Sequence, residues 1–226
     1  MGRAAHALSS GMDLVLRALV LQAIWLAGTL AGGIVLGWAP ATTAATDAAA
    51  RAEQGEPIRW RRAARVWKHA FRRSQVTLGL PGLFLLLAAA ALLSGALPLP
   101  LQIMLALVGV LLLIALAHIP ELERRYELPS ARVFGRALVL GLAQTPTSLV
   151  LLAALTLWAG VVLAVPGLLP FLGAAVPLLI CHHLVSRSLD RNEDLLSRPA
   201  DPPAGHRARP TRGTAAARRP SAVASP

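Results

Sequence analysis

Residues 74–120 read SQVTLGLPGLFLLLAAAALLSGALPLPLQIMLALVGVLLLIALAHIP, without a single Asp, Glu, Lys or Arg. A bilayer-crossing helix needs about 20 consecutive apolar residues. The stretch is long enough for two, and Ser94-Gly95-Ala96-Leu97-Pro98-Leu99-Pro100 supplies the turn between them. Spans are therefore expected at 76–97 and 99–119. A second uncharged stretch, Ala137 through Ser186, reads the same way, with spans at 137–165 and 168–189 and a bend at Pro166-Gly167. Pro146, Pro170 and Pro177 fall inside these spans, where they can kink helices whose freed carbonyls find other donors.

Upstream, a first span is expected at 14–37, with Arg17 in its opening turn snorkelling to the headgroups. Its apolar part is longer than a signal-peptide core, so cleavage is not expected. Residues 38–75 are of another kind. Pro40 stands where a helix can begin, a short Ala/Thr-rich helix follows, and Gln54-Gly55-Glu56-Pro57 ends it. Beyond this breaker Trp60, Ala64, Trp67 and Phe71 recur at helical spacing among Arg59, Arg61, Arg62, Arg65, Lys68, Arg72 and Arg73. That pattern predicts an amphipathic basic helix lying in the membrane interface, its aromatic side in the acyl boundary. The expected fold class is all-α: a polytopic bundle of about five transmembrane helices plus this interfacial helix. Residues 1–191 form the membrane domain, and 192–226, rich in Pro, Ala and Arg, form a disordered cytoplasmic tail.

Of the 226 residues, 22 are Lys or Arg and 11 are Asp or Glu, a net charge of +11. The charges flank the apolar runs instead of forming one folded basic face, so nucleic acid is not the expected partner. Anionic lipids of the bilayer are. With five spans and the N-terminus outside, 20 of the 22 basic residues fall on the inner side, which predicts N-out, C-in in a bacterial inner membrane. Cys181 is the lone cysteine, so no intrachain disulfide is expected.

Several short motifs, in order, resemble the YesL-like family of bacterial integral membrane proteins, a domain of unknown function. Gly37-Trp38-Ala39-Pro40-Ala41-Thr42 closes span one in that family's manner. Ala137-Leu138 to Pro146 looks like the start of its fourth span, and Pro166-Gly167-Leu168-Leu169-Pro170-Phe171 like its turn into the last. The resemblance covers roughly residues 14–190. It implies a setting beside carbohydrate ABC uptake systems and two-component sensors, with an ABC permease or a sensor kinase as candidate partner.

Among candidate sites, Gly28 with Gly32 and Gly33 with Gly37 are spaced for close helix packing. His182 and His183 are adjacent and point to different helix faces, so with His118 they are expected to be interfacial and not metal ligands. Gln22, Gln102, Gln144 and Thr145 are expected to bond between helices. The carboxylates lie outside spans two to five or at their edges, which argues against a proton-coupled transporter. Phosphate-loop, zinc and nucleophile-elbow motifs are missing, so no catalytic residue, cofactor or metal is expected and the protein is read as no enzyme. The leading expectation is an accessory or regulatory component of carbohydrate ABC uptake. The alternatives are a small-solute permease component and a membrane partner of a sensor kinase.

Overall fold

The computed structural model describes residues 2–126 and 129–197. The described residues are almost wholly helical: α1 (Gly2–Ala31), α2 (Trp38–Glu53), α3 (Trp60–Ser74), a π-helical turn (Gln75–Gly79), α4 (Leu80–Leu93), α5 (Leu99–Arg125), α6 (Ser130–Ala143), α7 (Thr145–Ala164), a 3-10 turn (Pro166–Leu168), α8 (Leu169–Leu172) and α9 (Ala175–Ser197). Among the described residues, four helices are long and apolar enough to cross a membrane: Gly11–Ala31, Trp60–Leu93, Leu99–Arg125 and Thr145–Ala164. The pair Pro166–Leu172 and Ala175–Asp194, bent by 61°, makes a fifth if counted as one broken span. Leu86, Leu87, Ile103, Leu107, Leu149 and Leu157, among many others, point outward. An apolar surface of that extent belongs against acyl chains.

Three boundaries differ from the sequence expectation. The basic helix and span two are one continuous 34-residue helix, Trp60–Leu93. Nothing between Ser74 and Leu80 breaks it, and the π turn widens the helix where the Pro81 ring would otherwise press on the preceding turn. The expected span 137–165 is split at Gln144 (φ −102°, ψ 46°), two residues before Pro146. Pro146 has no amide to give the Leu142 carbonyl, and the Thr145 hydroxyl bonds that carbonyl instead at 2.7 Å. At the far end, α9 continues through Ser197, so residues 192–197 are helical and not the start of a disordered tail. The rest of that expected tail lies outside the described residues.

The larger difference concerns α2. It does not lie apart from span one but folds back along it. Gly28 of α1 faces Ala41, Trp25 bonds Thr42 at 3.1 Å, and Leu16, Arg17 and Val20 share a cavity wall with Ala52. The helices are thus antiparallel. Alanine makes this possible, because Ala45, Ala48 and Ala49 pack flat on Ala18, Leu21 and Ile24, together with Ala63 and Ala175.

The turn of this hairpin, residues 32–37, carries Ile34, Val35 and Leu36 at more than half exposure, an apolar tip. Its backbone needs internal partners at such a depth. The Ile34 amide bonds the Thr29 carbonyl at 2.9 Å, the Val35 amide bonds Gly33, and the Gln75 side-chain amide donates to the Leu36 carbonyl. Gly33 takes φ +71° to close the turn, and Ile34 follows at φ +54°, an unusual value for a β-branched residue.

The hairpin fixes the arrangement of the ends. Arg17 shares its cavity with Glu56 and Trp60, so the early part of α1 lies beside the start of α3. Arg125 reaches Asp190 at 2.6 Å and Tyr126 reaches Glu193 at 2.6 Å, so α5 and α9 run side by side toward one end. Glu53 meets His182 on that same side. The N-terminal part of α1 and the C-terminal part of α9 therefore share an end of the bundle. Five crossings would have set these two parts on opposite sides, and α2, by folding back along α1, is what brings them together.

Candidate functional site

Where α2, α5 and α9 converge, the bundle buries a carboxylate. Glu121 follows Pro120 near the end of α5 and is 1% exposed. Its own helix supplies two cations at the i+3 and i+4 positions. Arg124 Nε donates to Oε2 at 3.2 Å, Arg124 Nη2 bonds Oε1, and Arg125 Nε donates to Oε1 at 2.8 Å. The remaining partner comes from α9: His182 Nδ1 stands 3.1 Å from Glu121 Oε2, and its Nε2 stands 3.1 Å from Glu53 Oε2 at the end of α2. Ser186, one turn on, lies 3.3 Å from His182 Nδ1. His183 points outward yet reaches the second oxygen of Glu53 at 3.5 Å.

The adjacent histidines thus do face different sides, as helical geometry requires, while a single carboxylate bridges them. Each nitrogen of His182 faces a carboxylate oxygen, an arrangement through which an imidazole can pass a proton. No carboxylate is near the histidines in sequence. The structure brings in Glu53 and Glu121 from 129 and 61 residues away. Among the described residues, no group of three or more His, Cys, Asp or Glu is arranged to hold a metal ion.

Below this knot lies a cavity of about 210 Å³. Trp25, Thr42, Thr46, Pro177 and Cys181 wall it, with Glu121 and His182 at its polar end. The threonine hydroxyls are spent on the helix backbone: Thr42 donates to the Trp38 carbonyl at 2.8 Å and Thr46 to the Thr42 carbonyl at 2.9 Å. Gln22 closes the hairpin onto α9. Its Oε1 accepts the Ala174 and Ala175 amides at 3.0 and 2.9 Å, so it caps the first turn of α9.

The remaining expected residues separate into those that pack and those that do not. A Cβ on Gly28 would stand 2.9 Å from Ala41 and 3.0 Å from Trp67, and one on Gly37 would collide with the Thr29 carbonyl. Gly32 lies against Gly37 and Trp67. These three glycines do serve close packing, within one chain. Gly33 has nothing around it and serves the turn instead. Trp67 therefore faces α1, with Phe71 edge-on at 5.1 Å, and the aromatic side of α3 meets protein where acyl chains were expected. Trp60 is half exposed.

Gln144 bonds Ser188 across to α9, whereas Gln102 and Thr145 bond within their own turns, to Leu97 and Leu142. His118 is fully buried, its Nδ1 donating to the Ile114 carbonyl at 2.8 Å. Pro40, Ala41 and Thr42 sit at the hairpin return, Pro146 at the α6–α7 break, and Pro166, Gly167, Pro170 and Phe171 at the bend before α9. These motif residues mark chain reversals and do not converge on one site. Outside the crossing helices, Tyr126 is held above its ordinary pKa, because its hydroxyl donates to Glu193 and it is partly buried.

Fold and site together define a polytopic helical protein of membrane type, with an ion-paired knot toward the end of the bundle where α1 begins and α9 ends. A family described as "Protein of unknown function, DUF624" matches residues 18–94, which cover α1 from Ala18 onward, α2, α3 and α4. A curated relative is "Uncharacterized protein YesV" of Bacillus subtilis (strain 168), 27% identical over 194 residues, covering 83% of this chain and 93% of that protein. No solved structure matches.

Proposed function

We propose that the protein is a non-enzymatic accessory or regulatory component of the bacterial inner membrane, related to the YesL-like proteins and acting beside a carbohydrate ABC importer. The observation that carries this reading is where unspent charge lies. Inside the bundle the polar groups are largely consumed by one another, as in the Glu121 knot and the Gln144–Ser188 pair. On α3, Arg61, Lys68 and Arg72 form an exposed stripe with no ion-pair partner among the described residues. A stripe of that kind suits an acidic cytoplasmic surface of a partner. The link to carbohydrate uptake rests on the family resemblance alone.

The positive-inside rule then sets the orientation. The turns at 94–98 and 165–174 hold no charge, while the other end holds Arg17, the α3 cluster, Arg124, Arg125 and the Arg-bearing end of α9. Both termini are accordingly assigned to the cytoplasm. The test is affinity purification from native membranes in mild detergent, comparing wild type with R61E/K68E/R72E. A stoichiometric ABC permease that the triple variant loses supports the reading. Purification without a partner, or retention by the variant, contradicts it.

A second reading is favoured by the cavity beneath His182 and Glu121. An uncharged solute moving with a proton would need such a membrane-edge His–Glu pair. Uptake in proteoliposomes that fails in His182→Gln would support it.

A further inference from the structure

A second cavity lies on the other side of Glu121 and shares only Arg124 with the knot. It is a cleft of about 540 Å³ between α2, α3 and α5, a size suited to a small ligand. Arg62, Arg65, His69 and Arg73 recur along α3 at spacings of three and four, so one helix face lines it. Arg124 closes it from α5. The opposing carboxylates are fewer: Asp47 on α2 and Glu123 on α5.

The two carboxylates leave part of this cationic lining unmatched. Glu123 takes Arg73 at 3.0 Å, and Asp47 is shared between Arg51 at 3.0 Å and Arg62 at a longer 3.8 Å. Arg65 and His69 have no partner among the described residues. Like charges crowded in a partly enclosed cleft repel one another, and an anion seated among them relieves that repulsion. Guanidinium groups match phosphate oxygens two at a time. Val66, Ala70 and Pro120 give the cleft apolar walls that would exclude water from such an ion pair.

We propose that this cleft binds an anionic phosphate ester, with Arg65, His69 and Arg62 gripping the phosphate. α3 runs without a break into a crossing helix, so the cleft sits at headgroup level, where phosphate arrives from two sources. One is the headgroup of an anionic lipid and the other a soluble phosphate ester. The proposal does not depend on the accessory reading, since it uses the inner stripe of α3 and not Arg61, Lys68 and Arg72.

The experiment compares three full-length proteins: wild type, R65Q/H69Q in the cleft, and R61Q/K68Q on the outer stripe. All four substituted side chains are exposed, so folding should survive, and thermal unfolding without ligand checks it. Phosphatidylglycerol retention is read by native mass spectrometry, and glycerol 3-phosphate binding by calorimetry in phosphatidylcholine nanodiscs. Removing one charged hydrogen-bond partner of the phosphate weakens binding by about tenfold. R65Q/H69Q should therefore lose at least that, while R61Q/K68Q stays within about twofold. Loss in the lipid assay alone identifies a lipid site, and loss in the calorimetry identifies a soluble ligand. Failure of both probes to bind wild type, or equal loss in the two variants, overturns the proposal.

Discussion

Replacing Glu121 by Gln keeps the side chain's size and removes its charge. The consequence can be worked from its partners. His182 is 2% exposed and faces Glu121 inside the bundle, so that pairing carries the full value of a charge-assisted bond, about 2 kcal/mol. Arg125 retains Asp190 at 2.6 Å, and its bond to Glu121 is worth about 1 kcal/mol. Arg124 is 26% exposed and partly hydrated, so removing its partner costs only a few tenths, as for a surface pair. E121Q should therefore destabilise the bundle by about 3 kcal/mol, the lower edge of what breaking a buried ion pair costs. The assay is reversible unfolding in mixed detergent–SDS micelles, run as a double-mutant cycle with H182Q. A coupling of at least about 1 kcal/mol is expected between the two substitutions, since both remove the same hydrogen bond. Strict additivity, or a loss in E121Q below about 0.5 kcal/mol, would mean that the buried pairing does not hold the bundle together.

Other consequences follow from the hairpin and the α9 end. Gly37→Ala should cost about 2 kcal/mol through overpacking against the Thr29 carbonyl. Gly33→Ala, in open space but at φ +71°, should cost about 1 kcal/mol through backbone strain alone; the same unfolding assay ranks them. Gln75→Leu removes the donor to the Leu36 carbonyl and should cost about 1–2 kcal/mol for the unsatisfied group. Hydrogen exchange at residues 32–37 should rise with it. Tyr126 has a raised pKa in the folded state, so its bond to Glu193 contributes fully below the unfolded tyrosine value near 10 and disappears as pH rises through the folded one. Wild type should therefore lose stability more steeply than Tyr126→Phe as pH rises above about 10.

The sequence foretold the helical, membrane-type fold because long charge-free runs leave few alternatives, and the turn expected from Ser94 to Pro100 overlaps the break between α4, which ends at Leu93, and α5, which begins at Leu99. It hid the return of α2 for a physical reason. A helix of 16 residues built mostly from Ala and Thr has little hydropathy, so it resembles a surface segment, yet small side chains are what let α2 lie against α1. The glycine pattern was legible as packing at Gly28, Gly32 and Gly37, but spacing alone does not separate a packing glycine from the turn glycine at 33. Glu121 looked like an edge carboxylate. Its local partners Arg124 and Arg125 are visible at helical spacing, whereas His182 and Glu53 are joined to it only by tertiary packing. No periodicity reports a pairing of that kind.

The proposed orientation puts the open end of the α1–α2 hairpin, where α1 begins and α9 ends, in the cytoplasm. Single cysteines at Gly11, Glu56, Ala96 and Ser197 in a Cys181→Ala background, challenged with a membrane-impermeant maleimide, decide this. In intact spheroplasts only Ala96→Cys should label, and the other three should label only in inverted vesicles. Labelling of Gly11→Cys from outside, with Glu56→Cys protected, would place α1 across the membrane alone and contradict the hairpin.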